Sequence, residues 1–187
     1  MDWNIAAAGN YALEKALRQL NNQAMAAGEA PIWVTKQLTL SASNTTVNPP
    51  IFTLTGTVLL GKIWGIVTTD LGSNNTAAYL RLNDQTAQVA ITLATGTTLS
   101  AAKAGSLLLK TGLAAAAITL KSNAAGAVFE PTTLETVIPS PIILVKKTAA
   151  LTQVEFVYST TNTPTTGAIK FYAAYLPLSD DGALRAV

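Results

Sequence analysis

The chain has 187 residues and neither cysteine nor histidine, which removes thiol and imidazole nucleophiles, Ser-His-Asp and Cys-His relays, and His/Cys zinc sites. Charged residues make up 12%, about half the usual fraction, and 49% are hydrophobic, so the surface must be dressed in Thr, Ser, Asn and Gln or be covered by partner protein. Twelve basic residues against ten acidic ones leave a net charge of +2, with no electrostatic footprint for nucleic acid or for an anionic membrane surface.

The length predicts one domain with an appendage, large enough to fold without disulfides. Composition changes near Gly28–Pro31, from Ala, Leu, Asn and Gln to Thr, Val, Ile and Gly. Residues 1–30 are therefore expected to form a helical arm and residues 31–187 a β domain. In the arm, Leu13, Leu17, Leu20 and Ala24 recur at spacings that place them on one helical face. Asn10 suits the N-cap and Gly28 the C′ position, and Pro31 stops continuation. The stripe is narrow, and three partners suit it: its own domain, the same helix of a neighbouring subunit, or another protein. Trp3 stands near a terminus that frays unless it packs on something, and the own domain and a partner suit it equally.

Beyond Pro31 only short strands and turns are expected. Ile32–Leu40 alternates in part. Asn48-Pro49-Pro50 breaks the chain. Ile51–Thr69 holds one or two strands, in which Gly61 and Gly65 suggest a bulge or bend and Trp64, lying among apolar strand residues, is expected in the core. Asp70–Asn75 reads as a turn, Ala77–Leu82 as a strand, Asn83-Asp84 as a turn and Thr86–Leu93 as an alternating strand. Ser106–Lys110 and Ala116–Lys121 are short strands, and Val128–Phe129 a short edge strand. Ile142–Val145 has the look of a short buried run. The clearest period of two lies in Thr152–Tyr158 and Ala168–Leu176, which read as an antiparallel hairpin with a long Thr/Asn/Pro/Gly tip. Eight to ten strands with turns every 8–12 residues predict a mainly β protein: an antiparallel sandwich or jelly roll preceded by a helix.

The search for chemistry returns little. The carboxylates Asp70, Asp84, Asp180 and Asp181 sit among Gly, Asn and Ser in turns, where they are expected to shape and solvate the backbone. Neither Asp70–Asn75 nor Ser179–Gly182 matches a calcium loop. Gly61-Lys62 lacks the rest of a phosphate loop, and nucleophile elbows and dinucleotide fingerprints are absent from the sequence. No cofactor and no enzymatic activity are expected. Neither basic residues before an apolar run nor a membrane-spanning apolar stretch marks the chain for export or insertion.

Three function classes compete: an assembly-forming structural protein, a receptor- or carbohydrate-binding sandwich, and a carboxylate enzyme. Low charge, the missing catalytic residue types and an arm before a sandwich favour the first. The Trp-containing strand from Lys62 followed by LGSNNTAAYLRLND up to Asp84, with the C-terminal run GAIKFYAAYLPLSDDGALRAV, resembles virion proteins of tailed bacteriophages, most of all capsid decoration (cement) proteins. The resemblance spans residues 57–187. It implies a homotrimer clamped over major capsid protein or another virion protein, in the virion, stabilising the shell without any reaction. Trp3, Leu13, Leu17 and Leu20 are the expected partner contacts. Head fibres, tail adaptors and baseplate components are the alternatives within the same class.

Overall fold

A computed structural model describes residues 31–41, 45–72, 75–92, 99–110, 118–121, 141–147, 150–160 and 166–187. The arm expected over residues 1–30, with Trp3, Leu13, Leu17 and Leu20, lies outside these residues, as does the edge strand expected at Val128–Phe129.

The described residues form twelve strands: β1 (Ile32–Thr39), β2 (Thr46–Val47), β3 (Pro50–Thr55), β4 (Thr57–Thr69), β5 (Asn75–Asn83), β6 (Gln88–Ala90), β7 (Leu107–Lys110), β8 (Ile118–Lys121), β9 (Ile142–Val145), β10 (Thr152–Thr160), β11 (Ala168–Pro177) and β12 (Ala183–Ala186). They build two six-stranded sheets. The first runs β1-β11-β4-β7-β8, with β9 also on β4; the second runs β12-β3-β10-β5-β6, with β2 also on β10. Registers are antiparallel throughout. The protein is thus mainly β, as its turn spacing predicts.

Each sheet is organised on one long pair. In the first, β11 follows β4 from Ala168 opposite Thr69 to Pro177 opposite Val58. The other edge of β4 is shared, Thr57–Leu60 going to β9 and Trp64–Ile66 to β7. In the second, β10 lies between β5 on one side and β2 with β3 on the other. The break at Asn48-Pro49 divides that second neighbour into two short strands, as the prolines require.

Alternation sends one side of each strand inward. Val58, Leu60, Ile63 and Val67 of β4 meet Ile169, Phe171, Ala173 and Tyr175 of β11 in the same core as Phe52, Leu54, Leu80, Val154, Phe156 and Leu184 of the second sheet. Phe156 touches Phe171 with ring centroids 4.9 Å apart, so the two inner faces are in direct contact. Gly61 is the residue the sequence marks for a bulge, and the register of β4 on β11 shifts there, between Ala174 and Tyr175. Gly65 serves a different end. It lies opposite Phe171, and a methyl group there would crowd the Phe171 ring and the Ile169 side chain.

Three expectations are corrected. β10 and β11 do not form a hairpin: they belong to different sheets and face each other across the core. Both edges of each are taken by other strands, and period-two patterning fixes which side of a strand is apolar without fixing its neighbour. The strand expected over Thr86–Leu93 is paired only from Gln88 to Ala90. The Ile91 and Thr92 N–H groups then both donate to the Leu80 carbonyl, at 2.8 and 3.1 Å, which ends the ladder. Finally, Ile142–Val145 is half open. Leu144 is buried, whereas Ile143 is 60% and Val145 58% exposed.

Gly56 carries the chain from the second sheet (β3) to the first (β4) in a single residue with φ of +53°. A methyl there would overlap the Asp181 carboxylate and the Ser179 hydroxyl. Ser179 Oγ in turn accepts the Thr57 N–H at 2.8 Å. Gly56→Ala is expected to lower unfolding free energy by about 1–3 kcal/mol, read as a lower urea midpoint; an unchanged midpoint would show that this corner is not constrained.

Candidate interaction surface

Three of the turn carboxylates, Asp70, Asp84 and Asp181, are occupied by the fold, and the exposed Asp180 stands beside Asp181. Asp84 Oδ1 accepts the backbone N–H groups of Thr86 and Ala87 at 2.9 and 2.6 Å and the Thr86 hydroxyl at 2.9 Å. Its Oδ2 lies 3.3 Å from Lys147 Nζ. These bonds, the Ala87 N–H first, hold its carboxyl well below the usual range. Asp70 accepts the Ala104 N–H at 2.8 Å and Lys103 Nζ at 2.9 Å, and the two lower its pKa in that order. Asp181 accepts the Ser179 hydroxyl at 2.8 Å. These are the turn-shaping roles expected of Asp70, Asp84 and Asp181. Among the described residues no three acidic groups come together as a metal site would need.

Glu155 is the exception in burial. On the outer side of β10 it is 3% exposed. Arg81 Nε binds one oxygen at 2.6 Å and Asn83 Nδ2 the other at 2.7 Å. Arg81 Nη1 continues to Gln88 Oε1 at 2.6 Å. All three partners come from β5 and β6, so this polar network pins the β5–β6 edge to the centre of its sheet. Its acid has both oxygens bound, and it offers no free group for catalysis.

The outer face of the first sheet is of the opposite character. Residues directly opposite one another share a face, and the registers set out its rows. Leu107, Ile66 and Lys170 form one row and Leu109, Trp64 and Tyr172 the next; Lys62 then pairs with Ala174. Ile143, Leu59 and Leu176 follow, and Val145 sits beside Thr57. Trp64 and Tyr172 stack at 4.4 Å between centroids with planes 10° apart. Lys170 Nζ stands 5.4 Å from the Tyr172 centroid. Ile143 and Val145 are the most open apolar members, and the Trp64–Tyr172 pair is half-buried. A continuous apolar and aromatic face of this kind marks a contact surface more often than a solvated one.

This surface is missing from the sequence expectations, which name Trp3, Leu13, Leu17 and Leu20 as contacts and place Trp64 in the core. The core reading of Trp64 is corrected: it alternates with Ile63 and Gly65 and stands on the outer side. The signal that shows it is compositional. A strand apolar on both sides, such as Thr57–Thr69, needs something to cover each.

No protein-family model matches the chain, and searches of curated proteins and of solved structures give no match either.

Two measurements check the polar assignments. Arg81→Met leaves the Glu155 carboxylate buried without its cation and should cost about 3 kcal/mol. An Arg81→Met/Glu155→Leu pair should recover much of that loss, and equal losses for single and double variants would deny the coupling. For Asp84, a folded pKa below the unfolded 3.8 contributes stability above about pH 4 that is lost as pH falls further. The urea midpoint of Asp84→Asn should therefore lie below the parent's at about pH 7, and the gap should narrow steadily as pH falls below about 4. A gap independent of pH would contradict the assignment.

Proposed function

We propose that this protein is a non-enzymatic virion structural protein that docks on a capsid shell as a decoration protein. In this reading it is a trimer built on a jelly roll, with residues 1–30 as a helical arm. The observation that carries the reading is the outer face of the first sheet: apolar and aromatic, with no carboxylate among its described residues, on a chain that has little charge anywhere. A surface like this binds by burying area, and no catalytic residue is asked of it.

Strand pairing supports the jelly roll. β1 pairs with β11, β3 with β10, β4 with β7 and β5 with β6, so the partners are nested as in one long antiparallel ribbon folded at its middle. The pairs β4–β11 and β5–β10 then close the rolled ribbon into two sheets. That nesting is the arrangement of double-sheet jelly rolls, which build viral coats but also lectins and cupins. The fold by itself therefore does not choose the role. Against a sugar-binding role, Trp64 and Tyr172 each spend one ring face on the other, where a stacking platform keeps faces open. Head fibre, tail adaptor and baseplate roles share the same architecture and differ in stoichiometry.

Copy number per particle separates these roles. Quantitative mass spectrometry of purified particles should find the chain with the shell protein, in hundreds of copies. About 3 to 12 copies would point to a tail component, by the closed symmetry of tail rings. Absence from particles would overturn the reading. Because buried apolar area carries the contact, the chain should stay on the particle at about 1 M salt, where the Debye length is about 3 Å.

A further inference from the structure

The strands of the first sheet carry Lys36, Lys62, Lys110, Lys121 and Lys170 and no carboxylate. Two of these lysines stand on the outer face, flanking the Trp64–Tyr172 stack. Lys170 lies one row beyond it along β11, opposite Ile66, and Lys62 one row beyond it the other way along β4, opposite Ala174. Four residues of strand separate their rows, about 13 Å at the usual rise. Three other lysines have partners in the fold: Lys103 has Asp70, Lys147 has Asp84, and Lys36 donates to the carbonyl of Val187. Neither Lys62 nor Lys170 forms an ion pair with any described residue.

We propose that this face docks on an apolar protein surface that brings carboxylates to Lys62 and Lys170. The inference rests on reading the outer face as the contact surface, and it adds the chemistry of what is contacted. An apolar surface buried against this face would strand two ammonium groups unless it supplied anions to them, and a buried unpaired charge is strongly unfavourable. The lysines thereby set register and exclude wrong partners, while the leucines and the aromatic pair supply the area. A second copy meeting this face through a two-fold axis would set lysine against lysine with no acid among the described residues of the face to relieve them, so the occupant is a different surface. Single-stranded nucleic acid is also disfavoured. Base stacking uses open ring faces, whereas Trp64 and Tyr172 stack on each other among leucines and isoleucines.

The test is carbodiimide coupling, which joins lysine amines to carboxylates in contact, applied to the chain in its native assembly and to the purified chain alone. The expected result is that Lys62 and Lys170 couple to Asp or Glu of a different polypeptide in the assembly only. Their acetylation by acetic anhydride, which releases acetate, should slow about tenfold on assembly. Lys62→Glu with Lys170→Glu should weaken retention in the assembly about tenfold and the Gln pair less, both variants keeping the parent's urea midpoint. Three results would overturn the proposal: undiminished acetylation in the assembly, coupling to another copy of this chain, or Trp64-dependent fluorescence quenching by a 20-residue oligothymidylate at micromolar concentration. The partner's identity reports separately on the function. Coupling to a protein outside any particle would end the virion reading and leave the docking chemistry standing. A particle-bound chain with freely acetylated lysines would do the reverse.

Discussion

The contact of Phe156 with Phe171 is what makes two sheets into one body. Each ring stands at the middle of the longest pairing in its sheet, Phe156 between β3 and β5 by way of β10, Phe171 against β4. Neither sheet could bury its inner side alone, because a single antiparallel layer leaves both faces in water. The position opposite Phe171 is Gly65, the residue whose missing side chain gives the ring its room. A large ring facing an absent side chain is how a densely packed interior is reached without strain. The neighbouring Trp64 is then turned to the outer side by the alternation of the strand. One glycine therefore settles both the packing of the core and the exposure of the aromatic pair.

The outer sides of the two sheets divide the chain's scarce charge between them. The second sheet spends Arg81 and Glu155 on a closed network in which both carboxylate oxygens are bound. The described Asp70, Asp84 and Asp181 are spent on turns. Among the described residues, what remains for the outer side of the first sheet is lysine alone. The uneven distribution matters more than the net charge of +2, because a face with one sign of charge selects a partner while a small overall charge selects nothing.

Much of this fold can be read from residue order, and the parts that cannot have identifiable physical causes. Turn residues and alternation place β1, β3, β4, β7, β8, β9, β10 and β11 close to where they are found, because turn chemistry and side alternation are local properties. Pairing is not local. Ser159–Gly167 looks like a hairpin tip because it joins two alternating strands, yet it carries the chain from one sheet to the other. Gly61 and Gly65 are alike in sequence, one a bulge and the other a packing gap, and only the facing residue, Phe171, tells them apart. The candidate surface was legible only in part. Trp64, Ile143 and Val145 are apolar, so hydrophobic patterning assigns them to a core, and their openness depends on what the fold leaves uncovered. The arm with Trp3, Leu13, Leu17 and Leu20 stands on patterning alone.

The nested pairing of β1 with β11, β3 with β10, β4 with β7 and β5 with β6 has a consequence for where change can be tolerated. In a ribbon folded at its middle, the outermost pairs join residues farthest apart in sequence, and the innermost pair closes a short turn held by Asp84. Loop-closure entropy grows only with the logarithm of length, so the stretches between β7 and β8 and between β8 and β9 can be long without undoing the pairing, whereas the corner at Gly56 has one residue and no slack. β8 and β9 fall outside the nested set and attach to the first sheet, and β9 brings Ile143 and Val145 to its outer face. β9 thus enlarges the same apolar face on which Lys62 and Lys170 stand, while the outer side of the second sheet keeps its closed polar network.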